Sequence, residues 1–382
     1  MSAPRVLFIL KQRHQGPYGA WNHSPDGKPL ASGLSVSATQ MAYALDDSGI
    51  QNKLVHVIDN NCIDREVTQY RPTHVIIEAF WVVPEKFDVL MKLHPNVKWI
   101  VRNHSKSDFL SHEGGMVGWA IDYVAKGVIL ACNSPEATQD FKRLAVMSNA
   151  DPRNVVYLPN YYRAPRSEHS YCAVVWAKFM RAFGFPGHAP RLILPELNIG
   201  CFGAIRPLKN HLHQAMAAIQ AAEDLGLKLK FWINGNRVEG KAEPILKSLQ
   251  QLFKRYPQHE LIELSWMKHD EFVKITGNMD MLMQVSNSET FNIVAADAVA
   301  QGVPVLVSDE IPWLDPEYQA NPNDVHDIAR RLVRIWRGSG SGYLQADQLY
   351  QLKAYVHRSR ELWYNFLHGH EHGHYTSYPG PR

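Results

Sequence analysis

Glu289 and Asp297 stand eight residues apart in SNSETFNIVAADAVAQGVPVLVSD, residues 286–309, on either side of a helix-like run of small apolar side chains. Eight residues is about two helical turns, so a helix there carries a carboxylate at each end. Carboxylates accept paired hydrogen bonds from vicinal hydroxyls, and two of them so placed offer two contact points to a polyol. The same residues also describe an ordinary helix with a solvated acid at each end. A second candidate lies upstream, in GAIRPLKN, residues 203–210. Arg206 and Lys209 there precede a helical run, whose first turn has free backbone N–H groups and the positive end of the dipole. Two cations at that spot suit a diphosphate; the plainer reading is a solvated basic pair on a loop.

These residues need elements to hold them. RVLFIL (5–10), KLVHVID (53–59), THVIIEAF (73–80), KWIVRN (98–103), GVILACN (127–133) and NVVYLPN (154–160) are short, β-branched and apolar. Such runs suit a parallel sheet covered by helices on both faces. A helix is expected over 34–48. The rhythm restarts with NIGCFGAI (198–205), a helix over 211–224, KLKFWING (228–235), LIELSW (261–266), MDMLMQVS (279–286) and VPVLVS (303–308). The expected fold is therefore α/β, with two tandem Rossmann-like, doubly wound domains and ligands in the cleft between them. The expected boundaries are 1–160, an insert and linker at 161–195, a second domain at 196–345, and a helix at 346–382 returning to the first domain. GSGSG at 338–342 separates two C-terminal helices.

The insert carries Arg163, Arg166, Lys178, Arg181 and Arg191 against a single acid, Glu168, with aromatic residues between them. It reads as an amphipathic linker helix packed on the core, or as a nucleic-acid-binding element. The tail places His368, His370, His372 and His374 at alternate positions, which suits either zinc collection or a functionless end.

Taken in order, GAIRPLKN, WINGN (232–236) and SETFNIVAADAVAQGVPVL (288–306) resemble the donor-binding half of retaining GT-B glycosyltransferases. That nucleotide-sugar family, of the family 4-like type, includes sucrose synthase-like and lipopolysaccharide-building enzymes. The resemblance implies that Glu289 contacts hydroxyls of the donor sugar and Asp297 the ribose of its nucleotide. It implies that the backbone at Phe291, Asn292 and Ile293 faces the diphosphate, which Arg206 and Lys209 neutralise as it leaves, and that Asn234 belongs to the donor site. Two departures stand out: Asn292 replaces the usual Gly, and Asp297 is one methylene shorter than the usual Glu. In the first half, Gly33 matches a glycine loop facing the donor phosphate, and His104 a histidine near the reacting sugar. Asn160 falls at the expected domain crossover.

With 382 residues, 45% hydrophobic content and a net charge of +3, the chain is neither disordered nor strongly basic. No apolar run reaches membrane-spanning length, and the four cysteines have no C-x-x-C spacing, so a reduced cytoplasmic setting without membrane insertion is expected. No Asp-x-Asp pair is placed to hold a metal, so no metal or other cofactor is expected, and a nucleoside diphosphate sugar, UDP-linked by preference, is the co-substrate. The acceptor is read two ways. It is a hydroxymethylated pyrimidine in DNA, as in phage DNA-modifying members, or a glycan, lipid or small molecule. His14, Trp21 and His23 lie on the loop before Gly33; they, with Arg163, Arg166, Lys178 and Arg181, are the acceptor-side candidates. A non-catalytic sugar-nucleotide-binding protein and an epimerase or phosphorylase of the same fold are the remaining alternatives.

Overall fold

The computed structural model describes residues 3–12, 32–112, 114–164, 196–340 and 342–370. His14, Trp21, His23, Arg166, Lys178, Arg181, His372 and His374 lie outside the described residues.

The described residues form two all-parallel sheets, in two compact units. The first unit takes the chain up to Arg163 together with residues from Tyr355 onward, and the second takes residues up to Ala354. In the first, β1 (Arg5–Lys11), β2 (Gln51–Val57), β3 (His74–Glu78), β4 (Lys98–Asn103), β5 (Ile129–Cys132) and β6 (Val155–Tyr157) lie in the order β2-β1-β3-β4-β5-β6. Val6 to Leu10 of β1 and all of β3 are buried, as strands covered on both faces must be. Parallel neighbours need long crossovers, and helices such as Gly33–Asp47, Lys86–Leu93 and Pro135–Met147 supply them. The last of these starts on a Ser134 cap, whose hydroxyl accepts from Ala137 N, followed by Pro135 in the first turn.

In the second unit, β7 (Glu196–Gly200), β8 (Lys228–Ile233), β9 (Glu260–Glu263), β10 (Met281–Gln284) and β11 (Val305–Val307) take the order β11-β10-β7-β8-β9. The chain winds from β7 outward to β9, then returns to the other side of β7 to lay down β10. Register pairs Met281 with Ile199 and Leu282 with Gly200. The loops that leave β7 and β10 therefore emerge side by side, at the point where the winding reverses. Gly200 ends β7 with the Phe202 ring where a Cβ would sit, so no larger residue fits without displacing that ring.

The helix Tyr343–His368 begins in the second unit and continues in the first. In the first unit its Trp363 is buried, donating from Nε1 to Pro159 O at 2.8 Å, while Ser359 Oγ donates to Asn160 O at 2.7 Å. These bonds satisfy two carbonyls just past β6 that the sheet leaves unpaired. Trp363→Ala is expected to cost about 3–5 kcal/mol, and Trp363→Phe, which loses mainly the hydrogen bond, about 1 kcal/mol. Urea denaturation followed by far-UV circular dichroism measures this, with faster amide exchange expected in β5 and β6. An unchanged midpoint for the Ala variant would show that this helix does not support the first unit.

Candidate functional site

Lys209 lies at the end of a short 3-10 turn, Pro207–Lys209, on the loop leaving β7. Its ammonium donates to Oε1 of Glu289, on the loop leaving β10. Ser286 Oγ and Asn292 Nδ2 donate to the same oxygen at 3.2 and 3.0 Å. Oε2 of Glu289 is left with no partner among the described residues. The two loops are stitched together independently of this pair. Asn287 N donates to Leu208 O at 2.8 Å, Gln284 Nε2 to Phe202 O at 3.0 Å, and Asn210 Nδ2 to Val285 O at 3.1 Å.

Asn292 explains how this chain does without the expected glycine. It holds φ 60° and ψ 90°, and Asn tolerates positive φ better than other residues with a side chain. Its Oδ1 caps the helix Ile293–Ala300 by accepting from Ala295 N at 2.9 Å, while its Nδ2 reaches Glu289 and, at 2.8 Å, Gln284. One side chain thus closes the helix start and orients the acid. The amides of Ile293 and Val294 lie in the first turn, where no carbonyl of the helix can reach them.

Arg206 is held by Glu239, with Nε at 2.7 Å, and Arg237 reaches the other oxygen of Glu239 at 2.6 Å. Burial pushes the Glu239 carboxyl up, but the two guanidinium groups outweigh it and keep it below the usual carboxylate range. Arg237 also lies over the Trp266 ring, 3.9 Å from its centre. Neither Arg237 nor Glu239 stands out in the sequence, because a short charged loop after a strand has no pattern.

Asp297 departs from the sequence expectation. Its side chain is 0% exposed, and His269 Nε2 bonds its Oδ2 at 2.8 Å. It sits inside the helix Ile293–Ala300 among buried alanines, so the shorter Asp stays in the interior. Asn234 is likewise buried, accepting Gly203 N at 2.9 Å, and so ties the loops after β7 and β8 together instead of opening outward. Gly203 itself holds φ 116°, a backbone conformation open to glycine. Phe291 is buried against Trp313, whose Nε1 donates to Phe291 O at 2.7 Å.

The first unit carries a separate polar cluster at the carboxyl ends of β3 to β6. Glu78 is fully buried, accepting from Arg102 Nη1 at 2.9 Å and from His104 Nε2 at 2.7 Å. Arg102 also donates to Asn160 Oδ1 at 2.8 Å, and its guanidinium lies 5.3 Å from the Trp363 ring centre. Burial pushes Glu78 up, and Arg102 and His104 more than reverse it, so the carboxyl stays ionised. Burial, then Arg102, hold His104 below its ordinary value against the pull of Glu78, so the ring is neutral at pH 7. Asn160 is thus a buried hydrogen-bond acceptor in this cluster. The signal for Glu78 and Arg102 was present in the sequence: each is an ionisable residue inside an apolar strand run.

Gly33 opens the helix Gly33–Asp47 under a Ser32 cap, and among the described residues a Cβ built there meets nothing within 4 Å. No described neighbour therefore requires glycine at this position. Arg163 is not a free cation. Its Nη2 pairs with Asp47 at 3.1 Å, its amide donates to Gln40 at 2.7 Å, and it lies over Tyr43. Tyr161 and Tyr162 are buried as well, so the first residues of the basic stretch are packed into the first unit. His368 Nδ1 bonds Tyr364 O at 2.8 Å.

No family model matches the sequence, and no curated protein does. Solved structures match along nearly the whole chain. The N-terminal domain of Candida albicans trehalose-6-phosphate phosphatase has TM-score 0.64 at 10% identity, covering 97% of this chain and 98% of its own. The catalytic domain of Arabidopsis thaliana starch synthase IV, bound to ADP and acarbose, gives 0.63 at 11%, covering 96% and 100%. Sucrose-phosphate synthase from Thermosynechococcus elongatus gives 0.61 at 13%, covering 96% and 100%. At such identities the likeness shows the fold: α/β, with two parallel-sheet units of the GT-B type.

One residue beside the site carries a pH signature. His211, the first residue of the helix His211–Leu225, is buried with neither ring nitrogen bonded among the described residues, and burial then Lys209 push it down to about 3. Above pH 6.5 the ring is neutral folded or unfolded and adds no pH dependence. Below that only the unfolded chain takes the proton, so stability falls with pH down to about 3, at up to about 1.4 kcal/mol per pH unit. His74, pushed down to about 4 by burial and then Lys98, acts in the same direction. Urea midpoints of wild type and His211→Phe between pH 7 and 4 are expected to show a shallower acid decline in the variant. Parallel curves would mean that His211 does not titrate as its burial demands.

Proposed function

We propose that this chain is a glycosyltransferase that takes its sugar from a nucleoside diphosphate donor bound by the second unit. The observation that carries the reading is the convergence of Lys209, Ser286 and Asn292 on one oxygen of Glu289, beside the open first turn of the helix Ile293–Ala300. It puts a cation and an acid with one oxygen to spare in direct contact, beside amides able to take phosphate. In this reading Glu289 Oε2 accepts hydroxyls of the donor sugar. Lys209 and Arg206 exchange part of their carboxylate pairing for the diphosphate and stabilise its departing charge. Attack on the face the diphosphate leaves retains configuration, and no protein nucleophile is assigned. His104, a neutral imidazole oriented by Glu78, is the first unit's candidate for a hydroxyl of the reacting sugar. The matched structures that are a sucrose-phosphate synthase and a starch synthase bound to ADP support this donor class.

For the acceptor, the first candidate to test is a hydroxymethylated pyrimidine in DNA. With Arg163, Tyr161 and Tyr162 engaged in packing, that candidate rests on Arg166, Lys178 and Arg181 and on the composition of residues 165–195. A carbohydrate acceptor is the second reading, favoured by the names of the matched synthases.

The protein is incubated with UDP-, ADP- and GDP-linked sugars, alone and with hydroxymethylcytosine DNA or a panel of sugars and sugar phosphates. Nucleoside diphosphate release and product mass are then read. The expected outcome is slow release without acceptor, accelerated by the true acceptor. Glu289→Ala and Lys209→Ala are each expected to lose about a hundredfold or more, with the circular dichroism spectrum unchanged. Equal release by wild type and both variants would overturn the site. Binding with no release under any condition would leave a sugar-nucleotide-binding protein.

A further inference from the structure

The donor reading sends the nucleotide's ribose to Asp297, yet no part of that side chain reaches the surface. What does is His269, the first residue of the helix His269–Thr276, with its side chain 30% exposed. Its Nε2 is 2.8 Å from Asp297 Oδ2, and its Nδ1 bonds nothing among the described residues. We infer that His269 is the group that meets the ribose diol of a nucleoside diphosphate, with Asp297 as a positioning residue acting through it. The inference rests on the glycosyltransferase reading and deepens it.

The chemistry follows from reach and from hydrogen-bond type. Asp falls one methylene short of Glu, and on a buried helix that keeps the carboxylate inside. An imidazole laid on it restores the lost reach and exchanges an acceptor-only group for an adaptable one. With Nε2–H committed to Asp297, a neutral ring offers Nδ1 as an acceptor and a protonated ring offers Nδ1–H as a donor. A ribose cis-diol serves either form. Among the described residues, the charged groups acting on the ring are Asp297, from the helix Ile293–Ala300, and Asp270 on its own helix. The Asp297 hydrogen bond raises the His269 pKa most and burial opposes it, with the net shift upward. The ring therefore keeps its proton to higher pH than an exposed histidine does, beside a ligand that is itself anionic.

The test is isothermal titration of the full chain with UDP, ADP and GDP, then of the best binder against its 2′,3′-dideoxy analogue, between pH 5.5 and pH 8 on the scale set by ordinary histidine titration. Wild type is expected to lose about tenfold or more in affinity when the diol is removed. His269→Ala is expected to bind both nucleotides alike, at the wild type's dideoxy level, so that the two losses do not add. His269→Gln keeps an amide donor on Asp297 and guards against the buried carboxylate unfolding the variant. It is expected to fold and to retain less of the diol preference than wild type. Asp297→Asn is expected to move the pH midpoint of nucleotide binding downward. An undiminished diol preference in folded His269→Ala or His269→Gln overturns the inference and leaves the donor reading standing. An unmoved midpoint in Asp297→Asn overturns the positioning role. A wild type that binds no nucleoside diphosphate overturns both the inference and the reading beneath it.

Discussion

The hydrogen-bonded pairing of β10 with β7 is the constraint on which the second unit's site depends. Lys209 and Glu289 are 80 residues apart in the chain, and they touch because the strands that end before them are parallel neighbours. Only two register pairs, Met281 with Ile199 and Leu282 with Gly200, define that seam. The short seam is reinforced above the sheet, where Gln284, Asn210 and the amide of Asn287 each bond the opposite loop. A reversal of winding brings two loops together whatever their sequence. These polar ties set the distance between them.

Charge is handled differently in the two units. The cations near the second unit's loops are partly exposed and each shares a carboxylate: Lys209 with Glu289, and Arg206 with Glu239. Such pairs are already partly desolvated, so replacing a carboxylate by a phosphate costs less than stripping water from a solvated cation. The first unit buries its charges outright. Glu78, Arg102 and Asn160 have no comparable exposure, and the Trp363 ring lies over the guanidinium. A buried ion pair adds little net stability but costs a great deal when one partner is removed. It therefore holds the ends of β3, β4 and β6 in one arrangement, with His104 bonded to Glu78 at its edge.

Much of the fold was legible in the chain. KWIVRN forms β4 with the expected bounds, and RVLFIL, KLKFWING and the helix after GAIRPLKN fall within a residue or two of theirs. Buried parallel strands must be short and apolar, and their crossovers must be long enough for helices, so both leave a pattern in one dimension. Lys209 and Glu289 were each singled out in the sequence, but as separate contacts to a donor; that they pair with one another is visible only in the structure. Asn292 was legible as a departure from glycine, though not as the residue that caps the helix and orients the acid together.

Other features had no trace in one dimension. Whether a given polar side chain faces ligand or protein depends on which element packs against it, and that is settled by contacts between residues far apart in sequence. Arg163 lies 116 residues from the Asp47 that neutralises it, Asn234 lies 31 from the Gly203 amide that it holds, and Asp297 lies 28 from His269. The order of apolar and turn-forming residues along this chain determined two parallel sheets and the loops at their carboxyl ends. Only the packed structure decided which charges on those loops neutralise one another and which stay exposed, because ion pairs form across space and leave no period in the sequence.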